Sequence, residues 1–293
     1  MKHRPLKARN FRSAGEEAAK AKPPRLYDGP ESAYHLAFTD IDFLLTEELR
    51  PVRVQLELMK PELVQQKHAI ESTIVLFGSA RILPPEAALE ALAAARRGGD
   101  ARAVKRAETA VAMSRHYVEA RRFATMVTAG TRRLATPIHV VTGGGPGIME
   151  AGNRGAHETG GKSIGLNIVL PHEQQPNPYI TPELCFQFHY FALRKMHFLM
   201  RAVALACFPG GFGTLDELFE VLTLIQTGKS RPRPILLFGS EFWKRLIDFD
   251  LLVETGMISP GDVNLFKFVE TAEEGWAALK GAYGFEGAED VAV

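Results

Sequence analysis

Cysteine is scarce in this chain. Its 293 residues hold two thiols, Cys185 and Cys207, each inside an apolar stretch. That supports no disulfide framework and fits buried, reduced thiols in a cytoplasmic protein. No Cys/His cluster has zinc-ligand spacing, so no metal is expected. No apolar run reaches the roughly 20 residues of a membrane span. Excess charge is missing as well: 35 Lys and Arg against 34 Asp and Glu leave a net +1. Such a balance creates no global field to recruit nucleic acid or an anionic membrane. The N-terminus is basic but lacks an apolar h-region, so it does not read as a secretory signal. No repeat recurs at solenoid spacing. What is present, 46% hydrophobic and 24% charged residues, suits a globular protein with one sizeable core or two modest ones.

Along the chain, residues 1–30 set eight Lys and Arg against two Glu and read as a flexible basic arm. Residues 31–70 read as an N-terminal helical extension, with Thr39 as a cap and Pro51 and Pro61 as punctuation. "STIVLFGSAR" (72–81) is a strand ending in Gly-Ser. Residues 85–133, rich in Ala, Arg and Glu, read as a helical insertion of one or two helices, broken at "RRGGDAR". Strand and helix then alternate to about residue 285. That alternation predicts an α/β domain over 71–285: a doubly wound parallel sheet with helices on both faces. Ligands of such sheets bind at the carboxyl ends of the strands. Three glycine-bearing turns fall at that edge: "GSAR" (78–81), "GGGPG" (143–147) and "PGGFGT" (209–214).

The familiar phosphate fingerprints are absent. G-x-G-x-x-G fails at 143, where Ile148 takes the last glycine position, and again at Gly211, so a dinucleotide site of the usual kind is not expected. The Walker A pattern fails at both near misses, because Ala156 and Thr223 stand where its first glycine belongs. What remains is a phosphate cradle of backbone N–H groups at two helix starts. Thr214 adds a hydroxyl and a candidate cap.

An acidic pair, Asp216-Glu217, reads as part of the first turn of the helix after "PGGFGT". Two readings of Glu217 stay open. Thr214 to Glu217 fits the T-x-x-E capping box, which makes Glu217 structural. Alternatively a phosphate binds at this helix start and Glu217 points past it toward the sugar. A carboxylate beside C1′ of a ribose stabilises an oxocarbenium-like transition state and positions a water. Upstream, Arg194, His197 and Arg201 fall on one stripe of a helix.

Taken together, "GGGPGIMEAGNRGA" (143–156), "RKM" (194–196) and "PGGFGTLDELFE" (209–220) resemble the LONELY GUY (LOG) family, whose members were long labelled lysine decarboxylase-like. The resemblance covers about residues 70 to 260. It implies a Rossmann-like fold and hydrolysis of nucleoside 5′-monophosphates, AMP and/or cytokinin riboside 5′-monophosphates, to free base and ribose 5-phosphate. It further implies a homodimer or higher oligomer, with no metal or organic cofactor.

The family's catalytic pair falls on Arg194 and Glu217, with Arg194 orienting Glu217. Its phosphate loop falls on Gly210, Gly211, Gly213 and Thr214. Nucleotide-binding roles are implied for Ser79, Gly143, Gly144, Gly145, Gly147, Glu173, Lys195, Asp216 and Thr223. Phe198 departs from the R-K-x-x-M pattern of short members, and Asp216 stands where those members often carry Glu. The alternative is a non-catalytic nucleotide sensor or carrier on the same fold. A pyridoxal-phosphate decarboxylase built on Lys195 is a further rival without a convincing cofactor signature.

Overall fold

The computed structural model describes residues 13–29, 32–171 and 175–285. It divides into two compact units, residues 1–57 and 58–293.

In the first unit, α1 (Ala14–Ala18) is one turn closed by a capping box between Ser13 and Glu16. This turn lies in the stretch read as a flexible arm; residues 1–12 and 30–31 lie outside the described residues. α2 (Ile41–Leu44) is capped by Asp40, whose carboxylate accepts from the Phe43 N–H at 3.0 Å. The expected cap, Thr39, instead donates its hydroxyl to the Leu36 carbonyl. α3 (Arg50–Lys67), which begins in this unit and ends in the second, runs through both prolines that were read as punctuation. Pro51 falls in its first turn, where an N–H would have no partner anyway. Pro61 is accommodated inside the helix.

The second unit is a seven-stranded, all-parallel sheet. The strands are β1 (Ser72–Phe77), β2 (Ile138–Thr142), β3 (Ser163–Ile168), β4 (Cys185–Phe188), β5 (Ala202–Cys207), β6 (Ile235–Phe238) and β7 (Lys267–Val269). Their order is β4-β3-β2-β1-β5-β6-β7. Near-continuous apolar runs such as Ile74 to Phe77 suit strands buried on both faces. The direction of winding reverses at β1, which lies between β2 and β5. In a doubly wound sheet the crevice at that reversal is where ligands bind. The three glycine turns follow β2, β1 and β5, so the topology lines them up along this crevice.

The stretch 85–133 forms three helices rather than one or two: α4 (Pro85–Gly98), α5 (Ala101–Met113) and α6 (Arg115–Thr131). The expected break is present, with Gly99 at φ +74° and Asp100 capping α5. The second break, at Ser114, carries no glycine or proline to announce it. α7 (Ile148–Glu158), α8 (Phe191–Met200) and α9 (Phe212–Gln226) follow. Two helices follow β6, α10 (Ser240–Leu246) and α11 (Phe249–Glu254), because Asp248 caps a new start through the Leu251 N–H. α12 (Ala272–Tyr283) ends at Gly284 in the left-handed region.

Tyr117, Phe123 and Val127 of α6, Ile148 and Ala151 of α7 and Trp276 and Leu279 of α12 join Ile74, Leu76, Val140, Ala204 and Phe238 in one apolar cluster. On the opposite face of β1, Phe77 meets Phe198 of α8 edge-on at 5.0 Å. Among the described residues no helix is long and apolar enough to cross a membrane, and no group of His, Cys, Asp and Glu could hold a metal ion.

Candidate functional site

The turns after β1, β2 and β5 are tied together by their main chains. The Ser79 N–H donates to the Pro209 carbonyl at 3.0 Å, and the Ile148 N–H donates to the Ser79 carbonyl at 3.2 Å. Gly147, at φ +69°, makes the second contact possible, because a Cβ there would lie 2.4 Å from the Ser79 oxygen. The crevice opens into a cavity of about 680 Å³. Its walls include Ser79, Gly143, Arg194, Gly210, Gly211, Gly213, Thr214, Asp216 and Glu217. These nine sequence-predicted residues come from three turns and two helices.

The other predicted residues stand apart. Of the 143–147 turn, only Gly143 lines the cavity. The Gly144 N–H donates to Thr142 Oγ1, and the carbonyls of Gly144 and Gly145 accept from Asn177 Nδ2 at 3.1 and 3.0 Å. Gly144, Gly145 and Gly147 therefore shape the crevice without facing it, and the expected cradle of two helix starts narrows to one. Lys195 does not line the cavity; it is bound to carboxylates of α9. Thr223 donates its hydroxyl to the Phe219 carbonyl and borders a separate small cavity. Glu173 lies outside the described residues.

α9 begins two residues earlier than read. The Gly211 carbonyl accepts from the N–H groups of both Thr214 and Leu215 at 3.0 Å, which closes the first turn at Phe212. Three consequences follow. Thr214 lies inside the helix, so the capping box with Glu217 does not form; the N-cap is Gly211, without a side-chain cap. Asp216 and Glu217 fall in the second turn. Among the described residues, the N–H groups of Gly211, Phe212 and Gly213 have no acceptor within the protein, as expected of an open helix start. Leu218, Val221 and Ile225 face the core, whereas Phe219 is exposed and Leu215 lines the cavity.

Glu217 is 6% exposed, and its Oε2 is buried without a hydrogen-bond partner among the described residues. Burial pushes its carboxyl up to about 7. Lys195 pulls it back, Glu220 pushes it higher, Arg194 pulls it back and Asp216 pushes it higher. An unpaired buried polar atom costs about 1–3 kcal/mol. A carboxylate kept in that state on a cavity wall is a candidate acid or base.

Arg194 is held by the main chain. Its Nε donates to the Leu166 carbonyl of β3 at 2.7 Å, and its guanidinium lies 5.2 Å from the Phe198 ring centre. Burial lowers its proton affinity, and the charge of Glu217 opposes that. No ion pair within 4.0 Å joins Arg194 to Glu217 among the described residues, so the expected direct orientation of one by the other is replaced by a longer-range attraction. The predicted cationic stripe dissolves too. His197 is buried, and Arg201 pairs with Glu62 and donates to the Ile70 carbonyl at 2.9 Å, both within the second unit.

Sequence reasoning missed several cavity residues. Arg81 lines it with no ion-pair partner among the described residues, although its turn "GSAR" had been singled out. Phe191, Phe212 and Leu246 join Phe198, which the sequence had already marked as a departure from the R-K-x-x-M pattern, on its apolar side, and Phe212 is 92% exposed. Asn177, which fastens the 143–147 turn, lies in a proline-rich loop that offered no signal. A second cleft of about 470 Å³ lies along α4, α6 and α7. Its arginines are engaged, Arg121 and Arg154 by Glu158 and Arg122 by Glu273, and the helix start that borders it, that of α4, opens on Pro84 and Pro85, which carry no N–H.

Comparison with known proteins follows this geometry. The family described as "Possible lysine decarboxylase" matches residues 149–279. The cytokinin riboside 5′-monophosphate phosphoribohydrolase LOG3 of Arabidopsis thaliana is 31% identical over 153 residues, 50% of this chain and 69% of that protein. LOG1 of the same plant is 32% identical over 154 residues, 50% of this chain and 70% of that protein. Among solved structures, the molybdenum cofactor binding protein of Rippkaea orientalis aligns over 72% of this chain and 96% of its own, at 14% identity and a TM-score of 0.45.

Proposed function

Because the chain belongs to the LOG family, the lysine decarboxylase-like family of phosphoribohydrolases, we propose that it hydrolyses the N-glycosidic bond of a nucleoside 5′-monophosphate. AMP and cytokinin riboside 5′-monophosphates are the candidate substrates. Water adds at C1′, the base leaves with a proton, and ribose 5-phosphate remains. The observation that carries this reading is the buried, unpartnered Oε2 of Glu217 on the same cavity wall as the open start of α9.

The division of labour follows from those positions. The free N–H groups of Gly211, Phe212 and Gly213 bind the 5′-phosphate at a helix N-terminus. Phosphate bound there positions C1′, so binding energy remote from the reacting bond contributes to the rate. The ionised Glu217 offsets positive charge growing on the ribose and takes a proton from the attacking water. With its carboxyl near 7, both protonation states are populated around neutral pH. Arg194 contributes fixed positive charge at the cavity wall, while the apolar side of Phe191, Phe198, Phe212 and Leu246 suits a planar base.

The decarboxylase label fits the residues poorly. A Schiff base with pyridoxal phosphate needs a neutral lysine amine. Lys195 lies between Asp216 and Glu220 at 3.0 and 2.9 Å, and their attraction outweighs burial and raises its proton affinity.

The test is a product assay. Purified protein is given AMP or adenosine, and adenine and ribose 5-phosphate are followed. Release from AMP but not from adenosine supports the reading. Binding of AMP and of cytokinin riboside monophosphates without release from any of them favours a nucleotide sensor or carrier.

A further inference from the structure

α9 carries three carboxylates within five residues: Asp216, Glu217 and Glu220. Like charges three or four residues apart on a helix repel. Here they also lie near the helix start at which an anion is to bind. The cation that answers them comes from α8. Lys195 reaches Asp216 Oδ2 at 3.0 Å and Glu220 Oε2 at 2.9 Å, with its side chain only 18% exposed. These two partners stand one residue before and three residues after Glu217, so one ammonium spans the residue between them. Arg194 is not equivalent, because its Nε is committed to Leu166 and it makes no ion pair with Glu217.

We propose that Lys195 is a positioning residue: by clamping Asp216 and Glu220 it keeps the carboxylate of Glu217 available in its charged form, without touching the nucleotide. The role rests on the reading of Glu217 as the acting carboxylate. Every charged or titratable group facing Glu217 fits it. From α8 come Lys195 and Arg194, both favouring the ionised state; from α9 itself come Asp216 and Glu220, both opposing it; from β5 comes the buried thiol of Cys207. Lys195 is the strongest of the favourable charges, and its loss leaves two carboxylates beside Glu217 uncompensated. The same clamp fastens α8 to α9 and so joins the two helices that carry the candidate catalytic pair.

The experiment titrates Glu217 directly, by carbon-13 NMR of its carboxyl, assigned with Glu217→Gln. In Lys195→Met the midpoint is expected to rise by about one pH unit or more, the usual effect of removing an adjacent opposite charge. Lys195→Arg is expected to keep it near the parent value, and Lys195→Met combined with Glu220→Gln to bring it part of the way back. The acid limb of kcat/KM for AMP should move with the NMR midpoint. An unmoved midpoint in folded Lys195→Met overturns the proposal. If that variant does not fold, Asp216→Asn with Glu220→Gln is expected to lower the midpoint, and no change there overturns it equally. A midpoint that shifts in a protein cleaving no nucleoside monophosphate refutes the hydrolase reading alone. Cleavage of AMP with a fixed midpoint refutes the Lys195 role alone.

Discussion

Arg194 of α8 donates its Nε to the main-chain oxygen of Leu166 in β3 at 2.7 Å, which fastens a cavity cation to the sheet itself. Gly143 makes room for it; a Cβ there would lie 2.7 Å from Nη2. A single ammonium cannot both bond Leu166 and present a planar cation to the Phe198 ring, 5.2 Å from the guanidinium carbon. Arg194→Lys is therefore expected to lose at least tenfold in kcat/KM for AMP, about 1.4 kcal/mol. Steady-state kinetics would measure it, and a parent-like value would remove Arg194 from the machinery.

Glu217 makes the protein's stability depend on pH in a definite direction. Its carboxyl is raised to about 7 from an ordinary 4.5. Below pH 4.5 both folded and unfolded chains hold the proton, and nothing is lost. Between 4.5 and 7 the unfolded chain ionises while the folded one resists, so stability falls; above 7 the cost is constant, on the order of 3 kcal/mol. Glu217→Gln carries no such cost. Its stability relative to the parent should climb through that window and level off above it, as read by urea denaturation at a series of pH values. A flat difference would mean that Glu217 is not held protonated by burial.

Two neighbouring glycines should answer alanine differently. At Gly210 a Cβ would lie 2.1 Å from Thr214 Oγ1, so the first turn of α9 must shift. At Gly211, φ is −96° and nothing lies within 4 Å. Gly210→Ala is expected to lower Tm and weaken phosphate binding together. Gly211→Ala is expected to leave Tm unchanged and to raise KM for AMP alone, because its methyl would enter the space left for the anion. Thermal melts beside kinetics separate the two.

Much of this was legible in the sequence, and the errors have local causes. Strand-helix alternation gave the parallel sheet, and the turns after β1, β2 and β5 meet because those strands are neighbours. The start of α9 was misread because Thr214 and Glu217 match a capping box, while the chain closes its first turn on the Gly211 carbonyl. The family resemblance implied a nucleotide-binding role for Lys195, yet adjacent helical residues point about 100° apart, and beside Arg194 on the cavity wall Lys195 turns to Asp216 and Glu220 of α9. Asn177 and Phe212 left no signal: one acts through a tertiary hydrogen bond to a distant turn, the other through exposure.

Phe212 is large, apolar and almost wholly exposed at the cavity rim. Its removal should change stability by no more than about 0.5 kcal/mol, as for other surface sites. If its ring covers the base, Phe212→Ala raises KM for AMP with Tm unchanged. An unaltered KM would place the base against another wall.

The most direct test is the pairing of binding with turnover in Glu217→Gln. The variant keeps the open start of α9, so AMP should bind by calorimetry with an affinity close to that of the parent. Adenine release in the same preparation should fall to the background rate. Binding without turnover is the predicted result; adenine released at the parent rate would contradict the account of this site.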